Sequence, residues 1–142
     1  MKILRLFVCI LCLQFEAVKI AFKLKTYVPL VVPMEMPKNV AGRCYALCIG
    51  INISAIKRGG YNADNHMRTL YHECRHVWQF LYFTRQYCWW IRHKELYRKL
   101  YHTEYCAIEE DARVFGKTLG KENRTVLLYK YGYSYLVGRF GK

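Results

Sequence analysis

From Tyr61 to Phe115 the chain contains neither glycine nor proline, while all three prolines, Pro29, Pro33 and Pro37, lie before residue 40. So long a run without a breaker favours helices, whereas a proline-dotted start works against them. The remaining glycines divide the chain into three: Gly42, Gly50, Gly59 and Gly60 before the helical block, and Gly116, Gly120, Gly132, Gly138 and Gly141 after it. At 142 residues the chain is long enough for one core and too short for two comfortable ones. An apolar content of 54% excludes a disordered chain. With no internal repeat visible, residues 1–142 read as a single α+β domain.

The helical block resolves by periodicity. Met67, Leu70, Tyr71, Cys74, Val77, Trp78, Leu81 and Tyr82 recur at helical spacing, which predicts a helix from about Asp64 to residue 85, capped by Asn62 or Asp64. Residues 89–101 continue helical, with Arg92, Lys94, Arg98 and Lys99 on the polar side. A third helix from about Glu104 carries Tyr105, Ile108, Ala112, Phe115 and Leu119 as its apolar stripe, ending at Gly116 or Gly120.

Outside the block the pattern is extended. Ile49, Ile51 and Ile53 alternate with Gly50, Asn52 and Ser54, the period of a strand with one apolar face, and residues 57–60 read as the turn after it. Val28 to Met36 is β-branched and proline-broken, as in an edge strand or extended arm. In the tail, residues 119–142, Tyr129, Tyr131, Tyr133 and Tyr135 alternate like a weak strand. Residues 1–27 begin like a signal peptide, Lys2 and Arg5 preceding Leu6–Leu13, but residues 14–17 make a poor cleavage site. Glu16 and Lys19 interrupt the run well short of the ~20 apolar residues a membrane span needs. The alternative is a retained segment whose Leu6–Leu13 packs into the core. The odd count of seven cysteines argues for small buried thiols in a reducing compartment, hence a cytoplasmic protein.

One motif in the block carries chemistry. His72-Glu73-Cys74-Arg75-His76 reads H-E-x-x-H, and histidines one helical turn apart on the same face can reach one metal ion. Glu73 then stands where it can act as general base towards a water activated by that metal. Cys74 falls in the core phase of the helix. A catalytic zinc takes a third protein ligand, and the acids of the next helix are its source. Glu110 falls opposite the apolar stripe and faces solvent; Glu109 and Asp111 flank the stripe on opposite sides, so periodicity leaves both open.

His72-Glu73-x-x-His76 followed by Glu109-Glu110-Asp111-Ala112-x-x-Phe115 resembles the compact zinc metallopeptidases of gluzincin type. It is most similar to small peptidases of phages and bacteria, including the ImmA/IrrE peptidases with their H-E-x-x-H and E-x-x-A pattern. The resemblance spans residues 45–118. It implies a minimal zincin-like fold, a small sheet packed on an active-site helix and a glutamate-bearing helix. It further implies Zn2+ held by His72, His76 and Glu109, Glu73 as catalytic base, Ala112 and Phe115 as packing positions, and a peptide or protein substrate. The Ile49–Ser54 strand then corresponds to the edge along which such enzymes lay an extended peptide.

Three other readings compete. Cys44-x3-Cys48 ahead of His72-x3-His76 has a superficial zinc-finger spacing, but the intervening segment is far longer than that module uses and contains a strand. Glu104 and Glu110 fit a solvated helix start. Arg85, Arg92, His93, Lys94, Arg98 and Lys99, interleaved with Trp89, Trp90, Tyr97 and Tyr101, suit nucleic acid or another acidic surface, in keeping with a net charge of +13.

Overall fold

The computed structural model describes residues 2–58, 63–101 and 107–117. The described residues form a mixed α+β structure of five helices and one three-stranded sheet. In chain order these are α1 (Lys2–Leu24), β1 (Leu30–Met34), β2 (Gly42–Tyr45), β3 (Cys48–Asn52), α2 (Ile53–Arg58), α3 (Ala63–Tyr82), α4 (Thr84–Tyr101) and α5, residues 107–117. Glu104, where the third helix was expected to begin, and the tyrosine-rich tail lie outside the described residues.

The sheet order is β1-β3-β2, with β1 parallel and β2 antiparallel to β3. The isoleucine strand is thus central rather than an edge, and it ends at Asn52. Ile49, Gly50, Ile51 and Asn52 are all buried, because helices cover one face and the side chains of Met34, Met36 and Tyr45 cover the other at Gly50. Ile53 and Ser54 already belong to α2, as do Lys57 and Arg58, where a turn was expected. The switch is made by Asn52, whose side-chain oxygen accepts from the Ser54 amide as a helix cap. Its amide donates to the carbonyls of Met36, Pro37 and Val40, tying residues 36–41 to the sheet. At the other edge, Pro33 sits on β1 as expected, and Gln14 of α1 bonds Pro29 and Val31 in place of a further strand.

The core lies between α1, α3 and the sheet. Cys12, Leu13, Ala17 and Ile20 meet Leu70, Tyr71, Cys74, Val77, Ile49 and Ile51. The N-terminal segment is therefore one helix, and Ile10, Cys12, Leu13, Ala17, Ile20 and Leu24 pack on the core. Phe7 and Leu11, inside the run expected to be buried, are exposed. Glu16 is buried in this apolar layer, accepting from the Tyr71 hydroxyl at 2.9 Å and pairing with Lys19. Among the described residues, no helix is long and apolar enough to cross a membrane. Cys44, Cys48, Cys74 and Cys88 are free thiols.

The long helix ends at Tyr82, three residues before its expected end, with no glycine or proline to signal it. Thr84 Oγ1 donates to the Phe80 carbonyl at 2.5 Å, a back-bond that bends helices. Carried straight on, α3 would take residue 94 roughly 27 Å beyond residue 76 at about 1.5 Å per residue. Instead α4 folds back, and Lys94 Nζ comes within 3.9 Å of Glu109.

Candidate metal centre

His72 and His76 lie one turn apart on α3, and α5 crosses beside them. Their Nε2 atoms are 3.1 Å apart, and Glu109 Oε2 lies 3.0 Å from His72 Nε2 and 3.3 Å from His76 Nε2. Ligands at zinc bond lengths of about 2.0–2.1 Å sit about 3.3–3.4 Å from one another in a tetrahedron. Among the described residues this is the one group of three or more histidine, cysteine or acidic side chains able to hold a metal ion. Two imidazoles and a carboxylate match the donor preference of zinc, and three electron-pair donors aimed at one point are relieved by a cation.

Periodicity had left Glu109 and Asp111 open, and their partners differ. Asp111 receives a two-pronged bond from Arg75, at 2.7 and 3.1 Å, and another from Gln79 at 2.7 Å. Arg75, the fourth residue of the H-E-x-x-H run, also lies over the rings of Trp78 and Phe115. Asp111 is thus a clamp between α5 and α3, and Glu110 pairs outward with Arg113 as the helical phase requires.

Gln79, 4% exposed, went unnoticed in the sequence. Its amide nitrogen donates to Asp111 and to the Ile108 carbonyl, which turns its oxygen towards His76 Nδ1 at 2.8 Å. In the neutral ring His76 Nδ1 then carries the hydrogen, which leaves the Nε2 lone pair for a cation. The available signal was position: three residues after a candidate ligand histidine, a side chain stands over the same helix face.

Two close approaches set the walls. Of the two glycines expected to end α5, Gly120 lies outside the described residues and Gly116 does not end it. Gly116 lies within the helix, where a Cβ would come 3.1 Å from the Arg68 carbonyl oxygen and 3.6 Å from His72 Cβ. At Gly42 a Cβ would meet Thr69 Cγ2 at 2.8 Å and Glu73 Cγ at 3.4 Å, so only glycine lets β2 press against α3.

Glu73 is 6% exposed and accepts from the Cys44 backbone amide. Burial raises its pKa, partly offset by His76 and His72. For Glu109 the order is reversed: hydrogen bonds from His72 and His76 hold it well below the usual carboxylate range, against burial. Burial pulls His76 down, but the bond and charge of Glu109 outweigh it, so its pKa ends raised. The Cys44 thiol is pushed up to about 12 by burial and by Glu73, and Tyr87, also raised by burial, hydrogen-bonds to it. Cys44 therefore behaves as a protonated wall residue, and Cys48 is not part of the metal group.

These groups line one cleft of about 630 Å³, within the range of small-ligand sites. Its floor is His72, Glu73, His76 and Glu109, one wall is residues 39–44, and the other is Tyr87, Ile91 and Lys94 of α4. Such an arrangement can hold a divalent cation beside a buried, proton-accepting carboxylate. No family model, curated protein or solved structure matches this chain.

Proposed function

We propose that the chain is a zinc-dependent metallopeptidase of minimal zincin-like build, as its resemblance to the gluzincin and ImmA/IrrE type suggests. The observation that carries this is the convergence of His72, His76 and Glu109 at 3.0–3.3 Å with Glu73 beside them on the floor of an open cleft. Zinc bound there supplies Lewis acidity, polarising a carbonyl and acidifying water. Glu73 takes the proton of the attacking water and returns it to the amine nitrogen as the C–N bond breaks. Its raised pKa suits both halves of that transfer. An extended substrate lies along the outer edge of β2, which takes the part first assigned to the isoleucine strand, because β2 and not β3 borders the cleft. Tyr87, held protonated in the opposite wall, is the phenol that stands across the cleft to donate to the oxyanion.

The test combines metal analysis with hydrolysis of a peptide library. Glu73→Gln retains stoichiometric zinc and loses hydrolysis; His76→Ala loses both. Hydrolysis that survives Glu73→Gln would exclude this mechanism. A second reading, nucleic-acid binding through α4, is favoured by the exposed Trp89, which stacks on His93 at 4.5 Å near the exposed Arg85 and Arg92. It predicts metal-independent DNA binding that weakens steeply with salt.

A further inference from the structure

α1 has two apolar faces, and only one is used by the core. The other carries Phe7, Leu11, Phe15, Val18 and Phe22, spaced four, four, three and four residues apart, which aligns them along the side opposite Leu13, Ala17 and Ile20. Val18 is half-buried; the other four are between 49% (Phe15) and 75% (Phe22) exposed. Exposed apolar residues scattered singly need no explanation, but a continuous stripe along a helix of 23 residues does.

Charge decides what covers it. The helix and the six residues after it contain one acid, Glu16, which is buried and paired with Lys19. Lys23 and Lys25 are exposed at its C-terminal end, and Lys2 and Arg5 belong to its first turns. A second copy of the chain docked through this stripe would bring lysines together with no exposed acid on α1 to oppose them, in a protein of net charge +13. An anionic lipid surface takes both features at once: the aromatic and aliphatic stripe enters the headgroup boundary while the cations meet lipid phosphates. Tyr82, exposed at the end of α3 and donating to the Lys25 carbonyl at 2.5 Å, adds an amphipathic ring beside that end of α1.

We infer that the outward face of α1 docks the protein on anionic membrane surfaces, lying on the bilayer rather than crossing it. This is independent of the metal centre, since the stripe faces away from the core that α3 shares with α1. The experiment is co-sedimentation of the full chain with phosphatidylcholine–phosphatidylglycerol vesicles and with phosphatidylcholine vesicles, at low and high salt. Binding is expected to the anionic vesicles, weakening with salt. Leu11→Ser combined with Phe15→Ser should reduce partitioning by at least roughly tenfold, since each removes a large apolar group that docking takes out of water. Phe22→Ser, at the most exposed position, should do so less strongly and guards against a folding defect in the double variant. Trp89→Ser on α4 should change nothing. Absence of binding overturns the proposal, as does binding that all stripe variants retain. A stable dimer in sedimentation velocity, dissociated by the same substitutions, would assign the stripe to a second copy instead.

Discussion

α3 is held from two sides by opposite kinds of chemistry. Against α1 it offers Leu70, Cys74 and Val77 to Leu13, Ala17 and Ile20, an apolar layer with Glu16 and Tyr71 as its polar pair. Against α5 it is joined chiefly by directional bonds: His72 and His76 to Glu109, Arg75 and Gln79 to Asp111, and Gln79 to the Ile108 carbonyl. Apolar burial is non-directional and secures that α3 is present. Hydrogen bonds have preferred lengths and angles, so they determine where Glu109 stands relative to the imidazoles. One side supports the fold, the other the geometry, and the two should fail differently.

The largest expected effect is on the apolar side. Leu13→Ala should cost about 2–5 kcal/mol of stability, read by urea unfolding, with the zinc affinity of the folded protein unchanged. An equal loss of affinity would break the contrast, because α1 touches no ligand. On the polar side, Gln79→Ala should weaken zinc binding by about 10–100-fold, read by competition with a chromophoric chelator. It removes the acceptor that keeps His76 Nδ1 protonated while leaving every ligand in place.

Much of this architecture is legible in the residues, for identifiable reasons. H-E-x-x-H and the α3 stripe follow a helical period that survives in any context, so His72, His76 and the burial of Cys74 can be read directly. Glu109 and Asp111 could not be separated, because their difference lies in Arg75 and Gln79 on another helix. The exchange of central and edge strands has a similar cause. Alternation reports which face is apolar but not which strand lies alongside, and β1 and β2 are short and broken by Pro33 or glycine. The bend at Phe83 depends on one threonine hydroxyl, whose back-bonding is optional in sequence.

Acidity gives a third test of the contrast. In metal-free protein His76 has a raised pKa, so its protonated pairing with Glu109 stabilises fully below the ordinary imidazole value of about 6.5 and is lost as pH rises through the folded value. Glu109 has a depressed pKa, so its share is present above about 4.3 and lost only as pH falls through the folded value. Metal-free protein should therefore lose stability as pH rises through neutral. Zinc displaces the His76 proton, so its stabilising increment should grow over the same interval. Thermal melts with and without zinc from pH 5 to 8 would show two curves that diverge; parallel curves would mean zinc is held elsewhere.

The smallest effect should come from Asp111→Ala. Its pair with Arg75 is partly exposed, and such pairs contribute up to about 1 kcal/mol. The loss in stability should be slight, yet zinc affinity should fall measurably, since Gln79 loses one of two acceptors. A stability loss with affinity intact would place Asp111 on the apolar side of the contrast.

Gly42 and Gly116 bear on how mutational scans of this chain are read. Neither has a side chain to offer, yet a Cβ at each would meet the motif, one at Glu73 and the other at His72. In a library selected for activity, both positions would disfavour large replacements, and a tolerance map alone would rank them beside the reacting groups. Scoring the same library for soluble expression would not separate them either, because a displaced strand or helix can remain folded. Only the chemistry of the replacement distinguishes the classes: a ligand position can accept another donor, whereas the two glycines mark contacts where volume itself is selected against.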